Sequence, residues 1–117
     1  MSGDAVDVSI LIISYNTREM TLACIESIYE QTTSHSLQII VLDNNSHDGS
    51  PEAIAERFPG VELIASSENH GFAGGNNLAS TGSNGRRILL LNPDTVILDR
   101  AIDRLLEFAD EHPRNGV

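Results

Sequence analysis

The run Val8-Ser9-Ile10-Leu11-Ile12-Ile13-Ser14-Tyr15-Asn16-Thr17 decides the architecture. From Val8 to Ile13 it is almost wholly apolar and mostly β-branched, the pattern of a strand buried on both faces; a half-buried strand would alternate. A polar turn follows, and the period then changes. Met20, Cys24 and Ile28 recur every four residues, with Leu22 and Ile25 widening the stripe, so a helix is expected from about Arg18 to Glu30. Asn16 or Thr17 is its expected cap, and Glu19 stands three residues after Asn16, as in a capping box.

A strand covered on both faces calls for crossover helices, and the unit recurs along the chain. Leu37 to Leu42 reads as the second strand, ended by Asp43 and followed by the polar loop Asn44-Asn45-Ser46-His47-Asp48-Gly49. Ser50-Pro51 opens a helix with serine as N-cap and proline at the first helical position, and the helix ends near Phe58. Val61 to Ala65 is a short third strand. The glycine-rich stretch from Asn69 to Asn77 reads as a loop leading into a helix that ends near Gly82. Arg87 to Leu91 is the fourth strand, closed by Asn92-Pro93-Asp94. A last helix is expected from about Arg100 to Glu111, capped by Asp99, with Ile102, Leu105, Leu106 and Ala109 as its apolar stripe. Alternation of this kind predicts an α/β fold, a doubly wound and mainly parallel sheet in one domain over residues 1–117.

In a parallel sheet every loop that leaves a strand's carboxyl end falls on one edge, and ligands bind there. Four polar segments converge on that edge: Ser14 to Thr17, Asp43 to Ser50, Asn69 to Asn77, and Asn92 to Asp94. Tyr15 offers a ring on which a flat base can stack, beside a turn that Asn16 and Thr17 also serve as helix cap. Asp43 can accept hydrogen bonds from a base or from ribose hydroxyls, or can close an Asx turn into Asn44-Asn45. Asp48-Gly49-Ser50 reads as a turn and cap without chemistry. Gly71, Gly74 and Gly75 lack the Cβ that would block approach of backbone to a phosphate or sugar, and they equally suit a flexible helix entry. Asp94 is placed to give one carboxylate oxygen to Mg2+ or Mn2+, or to cap a helix. Met20 and Cys24 read as core packing.

Composition narrows the classes. Seventeen acidic residues against seven basic ones give a net charge of -10, which opposes nucleic-acid binding, since that needs cations to displace counterions from phosphates. It opposes a basic membrane patch as well. A diphosphate remains compatible when a divalent cation or a helix N-terminus faces it. The single cysteine, Cys24, excludes an internal disulfide. With no membrane-length apolar run and no signal-peptide pattern at the start, a cytoplasmic location is expected. A signalling receiver domain of the same size would need an acidic pair after the first strand and a lysine after the fifth; the first strand here runs into Ser14-Tyr15-Asn16 and the chain has no lysine.

Taken in order, these motifs resemble a known family. Val8 to Asn16 resembles the opening of family-2 glycosyltransferases of the GT-A fold, and Ile40 to Ser50 resembles their second-strand signature. Asn69 to Asn77 and Leu89 to Asp94 resemble the rhamnosyltransferase-like branch. The resemblance implies the Rossmann-like, nucleotide-sugar-binding N-terminal half of such an enzyme. It transfers a sugar from a nucleoside diphosphate, UDP- or dTDP-linked, to an acceptor hydroxyl with inversion. Carried onto this chain, it implies a donor site of Ser14, Tyr15, Asn16, Asp43, Asn69, Gly71, Gly74, Asn76, Asn92 and Asp94, with Asp94 holding Mg2+ or Mn2+. Asn92 stands where the family's DxD motif has its first aspartate, which leaves Asp94 as the main ligand. The family's catalytic base falls beyond Val117, so the chain is expected to bind donor without turnover, as a domain truncated at its C-terminus. The apolar surface of the last helix is expected to support a homodimer. Polysaccharide assembly is the process the branch suggests. A non-catalytic nucleotide-binding or assembly module is the alternative.

Overall fold

Val8–Ser14 forms strand β1, and all seven of its residues are buried. The other strands are β2 (Leu37–Asn44), β3 (Glu62–Ser66) and β4 (Arg87–Leu91), and the helices between and after them are α1 (Arg18–Gln31), α2 (Ser50–Arg57), α3 (Gly71–Ser80) and α4 (Ala101–Glu111). The structure, a computed structural model, describes residues 5–111. The sheet runs in the order β3-β2-β1-β4, and every pairing is parallel. The sequence expectation of an α/β, doubly wound parallel sheet is met.

Period-two alternation divides the inner strands between two cores. Val8, Ile10 and Ile12 of β1 and Ile39 and Val41 of β2 join Leu22, Cys24, Ile25 and Ile28 of α1, Ile54 of α2, and Ile102 and Leu106 of α4. Leu11, Ile13, Ile40 and Leu42 point the other way, toward Ala79 of α3. The first two crossovers step outward from β1 to β3 with their helices on one face. The third carries the chain back across the sheet to β4, and its helix lies on the opposite face, as right-handed connections require. The strand order therefore reverses between β1 and β4, the switch point where such folds form a crevice for ligands.

Several local expectations are corrected. The glycine-rich loop is helical from Gly71 onward. Glycine weakens a helix interior, but a Cβ at Gly75 would stand 3.1 Å from both Ile13 Cγ2 and Leu42 Cδ2. Close packing of α3 on the sheet thus needs the glycine, and the burial offsets its low propensity. Met20 is 47% exposed rather than packed, because Thr21 and Leu22 take the sheet-facing positions of that turn. Thr17 precedes α1 without a side-chain cap bond, so the capping box does not form. Asp99 does not cap α4. It and Arg100 both have positive φ, and its carboxylate pairs with Arg104 at 2.6 Å.

In α4 the buried face is Ile102, Asp103, Leu106 and Ala109, with Leu105 left exposed. That face enters the chain's own core, while Leu105 and Phe108 stay exposed, and nothing among the described residues supports the homodimer expected of this helix.

Candidate donor site at the carboxyl edge

β1 and β2 carry their hydrogen-bonded register out to Ser14 and Asp43, so both residues belong to the strands. Ser14 is fully buried, and its hydroxyl lies 3.2 Å from that of Thr17 and 3.1 Å from that of Thr21. Thr17 and Thr21 close the triangle at 3.0 Å. Ser14 therefore holds the turn from beneath and offers no side-chain atom to a ligand. Tyr15 is 48% exposed at the edge. Asn16 adopts φ 52°, a left-handed conformation that asparagine tolerates better than most residues.

The β1–α1 and β2–α2 loops are joined by hydrogen bonds. Asn16 N–H donates to Ser46 Oγ at 2.8 Å, and His47 N–H donates to Asn16 Oδ1 at 2.8 Å. Ser46 in turn donates its hydroxyl to Asp43 Oδ1 at 2.7 Å and its N–H to Asp43 Oδ2 at 2.8 Å. Asp43 thus closes the Asx turn. It is 1% exposed, and each carboxylate oxygen already accepts one bond, leaving a second lone pair on each. Asp48 accepts from the N–H of Arg18 at 3.1 Å and from the N–H of Ser50 at 3.1 Å, and the Ser50 hydroxyl also donates to it. One carboxylate serves the first turns of α1 and α2, and the expected serine cap is supplied by the aspartate instead. The Ser50 hydroxyl, ahead of the two N–H groups, holds the Asp48 carboxyl below the usual carboxylate range.

Asn44 lies next to Asp43 in β2 and so points to the other face, toward α3. It is buried, donates Nδ2 to Gly71 O at 3.1 Å and accepts the His70 N–H on Oδ1 at 3.0 Å. Asn69 Oδ1 accepts the Gly71 N–H at 2.7 Å. Gly71 (φ 70°) begins α3 at the edge. Gly74 and Asn76 lie inside α3, where a Cβ on Gly74 would meet His70 Cβ at 3.2 Å. The sequence reading overlooked Asn44 and Ser46 as organisers of the edge. The strand alternation was a legible signal for Asn44; the role of Ser46 depends on a partner thirty residues away.

β4 ends at Leu91, and Asn92-Pro93-Asp94 turns beside β1 with Thr95 N–H donating to Asn92 O at 3.0 Å. Asn92 and Asp94 are exposed. Beneath the turn, Cys24 directs its thiol at Asn92 O, 3.9 Å away. Burial, and then the charge of Asp94, push the Cys24 thiol up to about 11, so it remains a neutral packing and donor group at ordinary pH. The Asp94 carboxylate has no hydrogen-bond or ion-pair partner among the described residues, where no group of three or more His, Cys, Asp or Glu side chains could enclose a metal. A lone, exposed carboxylate fits Mg2+ or Mn2+, which keep several waters and take phosphate oxygens as further ligands. No helix among the described residues is long and apolar enough to cross a membrane.

A parallel sheet with four polar loops along its carboxyl edge and a reversal of strand order between β1 and β4 defines a doubly wound α/β domain. The family model for glycosyl transferase family 2 matches residues 9–117, and the chain belongs to that family. It is 29% identical over 110 residues to the minor teichoic acid biosynthesis protein GgaB of Bacillus subtilis, covering 91% of this chain and 12% of that protein. It is 30% identical over 95 residues to the N-acetylglucosaminyl-diphospho-decaprenol L-rhamnosyltransferase of Mycobacterium tuberculosis, covering 72% of this chain and 31% of that enzyme. The chain thus spans about a third or less of either relative. Among solved structures, S. aureus TarS superposes with a TM-score of 0.79 at 19% identity, over 91% of this chain and 33% of that one. The mannosyltransferase PcManGT of Pyrobaculum calidifontis, in complex with GDP-Man and Mn2+, superposes with a TM-score of 0.74 at 24% identity, over 88% and 31%. The fold is the GT-A type.

Proposed function

We propose that the chain is the donor-binding part of an inverting, metal-assisted glycosyltransferase. The observation that carries the reading is the exposed, unpartnered Asp94 in the turn that leaves β4 at the β1/β4 reversal, on the same carboxyl edge as the joined β1–α1 and β2–α2 loops. In this reading the base of a nucleoside-diphosphate sugar stacks by Tyr15, and the backbone around Asn16 flanks it. The remaining lone pairs of Asp43 receive a base N–H or a ribose hydroxyl. Asn69, Gly71 and the first turn of α3, with Gly74 and Asn76 behind it, border the phosphates and sugar, and Asn92 adds an amide beside Asp94. Bound to Asp94, Mg2+ or Mn2+ would act as a Lewis acid on the departing diphosphate.

The acceptor oxygen forms its bond to the anomeric carbon as the bond to the diphosphate oxygen breaks. Of the three aspartates at the edge, Asp43 is engaged by Ser46, Asp48 by the N–H groups of Arg18 and Ser50, and Asp94 is given to the cation, so the base that takes the acceptor's proton is assigned to no described residue. Two solved relatives in fold support the ligand class: TarS has been captured with UDP-GlcNAc and PcManGT with GDP-Man and Mn2+. A cytoplasmic place and a role in polysaccharide assembly belong to the same proposal.

The test is a thermal-shift panel of UDP, GDP, dTDP and their sugars, in Mn2+ and in chelator. At about 100 times Kd a ligand adds roughly 2.7 kcal/mol, or on the order of ten degrees for a domain of this size. A shift for one base, lost in chelator and in Asp94→Ala, is the expected result. A shift that survives both would remove the cation from the proposal.

A further inference from the structure

Two buried side chains of α1 hold the segment that carries Asp94. Cys24 presents its thiol to Asn92 O at 3.9 Å, on the carbonyl that also closes the turn with Thr95. One turn further along the helix, the Ser27 hydroxyl donates to Cys24 O at 2.7 Å and accepts the Ile97 N–H at 2.9 Å. Ser27 is 5% exposed and Ile97 6%, and the Ile97 side chain enters the main core. The residues between these anchors include Asp94 and have few other ties: Asn92, Asp94 and Val96 are exposed. A hydroxyl within an amphipathic helix commonly returns its proton to a carbonyl of the preceding turn. Here the same oxygen also receives an N–H from a segment 70 residues away, which gives it a second task.

We propose that Ser27, with Cys24, is a positioning residue for Asp94: α1 clamps both ends of the Asn92–Ile97 segment and so sets where the carboxylate meets a divalent cation. The inference rests on the reading of Asp94 as the cation ligand. Metal sites depend on the groups that orient their ligands, and loss of such a group typically costs about 10–100-fold in metal affinity. The clamp comes from the element that also follows the Tyr15–Thr17 turn, so α1 joins the two sides of the crevice. With Asp94 at the reversal of the sheet, a small displacement of the 92–97 segment changes the distance between cation and base pocket while the fold remains.

The experiment compares the wild-type chain, Ser27→Ala, Cys24→Ala and Asp94→Ala by calorimetric titration with UDP, GDP and dTDP, each in Mn2+ and in chelator, with Mn2+ occupancy followed by electron paramagnetic resonance. In Ser27→Ala the gain in nucleotide affinity from Mn2+ is expected to fall by about tenfold, while affinity in chelator stays as in the wild type. A fall in both would mark a merely structural role for Ser27 and overturn the clamp. Full Mn2+ gain in Ser27→Ala, together with its loss in Asp94→Ala, would overturn the clamp and leave the cation reading standing. Full gain in Asp94→Ala, or none in the wild-type chain, would overturn the cation reading and the clamp with it. If Ser27→Ala does not fold, Cys24→Ala decides: a reduced Mn2+ gain supports the clamp, and an unchanged one overturns it.

Discussion

Asp103 has no exposed surface, yet it carries a charge. Its carboxylate accepts from Thr33 N–H at 2.9 Å, from Ser34 N–H at 3.2 Å and from His35 Nδ1 at 2.7 Å, with Arg100 at 3.4 Å. Burial alone would raise its pKa; the His35 ring and the two N–H donors outweigh that and hold it below the usual carboxylate range. A depressed folded value contributes stability that is complete above the unfolded value of about 3.9 and is lost as pH falls through the folded one. Urea unfolding between pH 7 and pH 2 should therefore show the loss confined to the acid side, below about pH 4. Asp103→Ala should cost on the order of 3 kcal/mol at pH 7, since it leaves buried donors without an acceptor, and its acid-side slope should be shallower than that of the wild type. A variant with wild-type stability would show that the α1–β2 loop finds other partners.

Among the elements, β1 and its approach to β4 allow the least variation. Arg86 N–H donates to Val6 O at 2.8 Å, and Gly85 N–H donates to Ser9 Oγ at 2.7 Å. A Cβ on Gly85 would stand 2.3 Å from Ser9 N and 2.7 Å from Val8 C, against backbone that cannot turn aside. Gly85→Ala should thus force β4 away from β1 and destabilise by about 1–3 kcal/mol or more, visible as a lower urea midpoint. The same substitution at Gly82, where the nearest atoms are 3.9 Å away, should have little effect. The contrast matters for the site because β4 delivers Asn92 and Asp94 to the crevice beside β1.

At the scale of the whole molecule, the charge of -10 opposes the compact state through self-repulsion, which salt screens over about 10 Å at 0.1 M. Raising NaCl from low concentration to about 0.3 M should raise the thermal midpoint. A falling midpoint would mean that the pairs Arg57–Glu26 and Arg104–Asp99, each at 2.6 Å, outweigh the repulsion. The same excess of negative charge acts against a bare diphosphate and in favour of one accompanied by a divalent cation. One edge of the sheet leaves apolar surface in water: Ile88 is 43% and Leu90 52% exposed on β4, on the face that α3 covers over β1 and β2.

What the sequence by itself determined is the parallel α/β architecture and the edge that carries the polar loops. Both follow from local chemistry: unbroken apolar runs make strands buried on two faces, and a change of period to four marks the helices between them. Asp94 at the end of β4 and Tyr15 at the end of β1 were legible on that basis, and so was the turn at Asp48-Gly49-Ser50. Only the tertiary structure decided that residues 71–77 are helix, because the stability of α3 comes from Gly75 lying against Ile13 and Leu42. It alone decided that Ser14 is sealed beneath the turn, that Asp43 is engaged by Ser46, and that α4 buries Asp103 where the apolar pattern placed Leu105. In each case the partner lies on another element or in the geometry of a turn. The free energy of a buried polar group depends on whether that partner arrives, which no local pattern records.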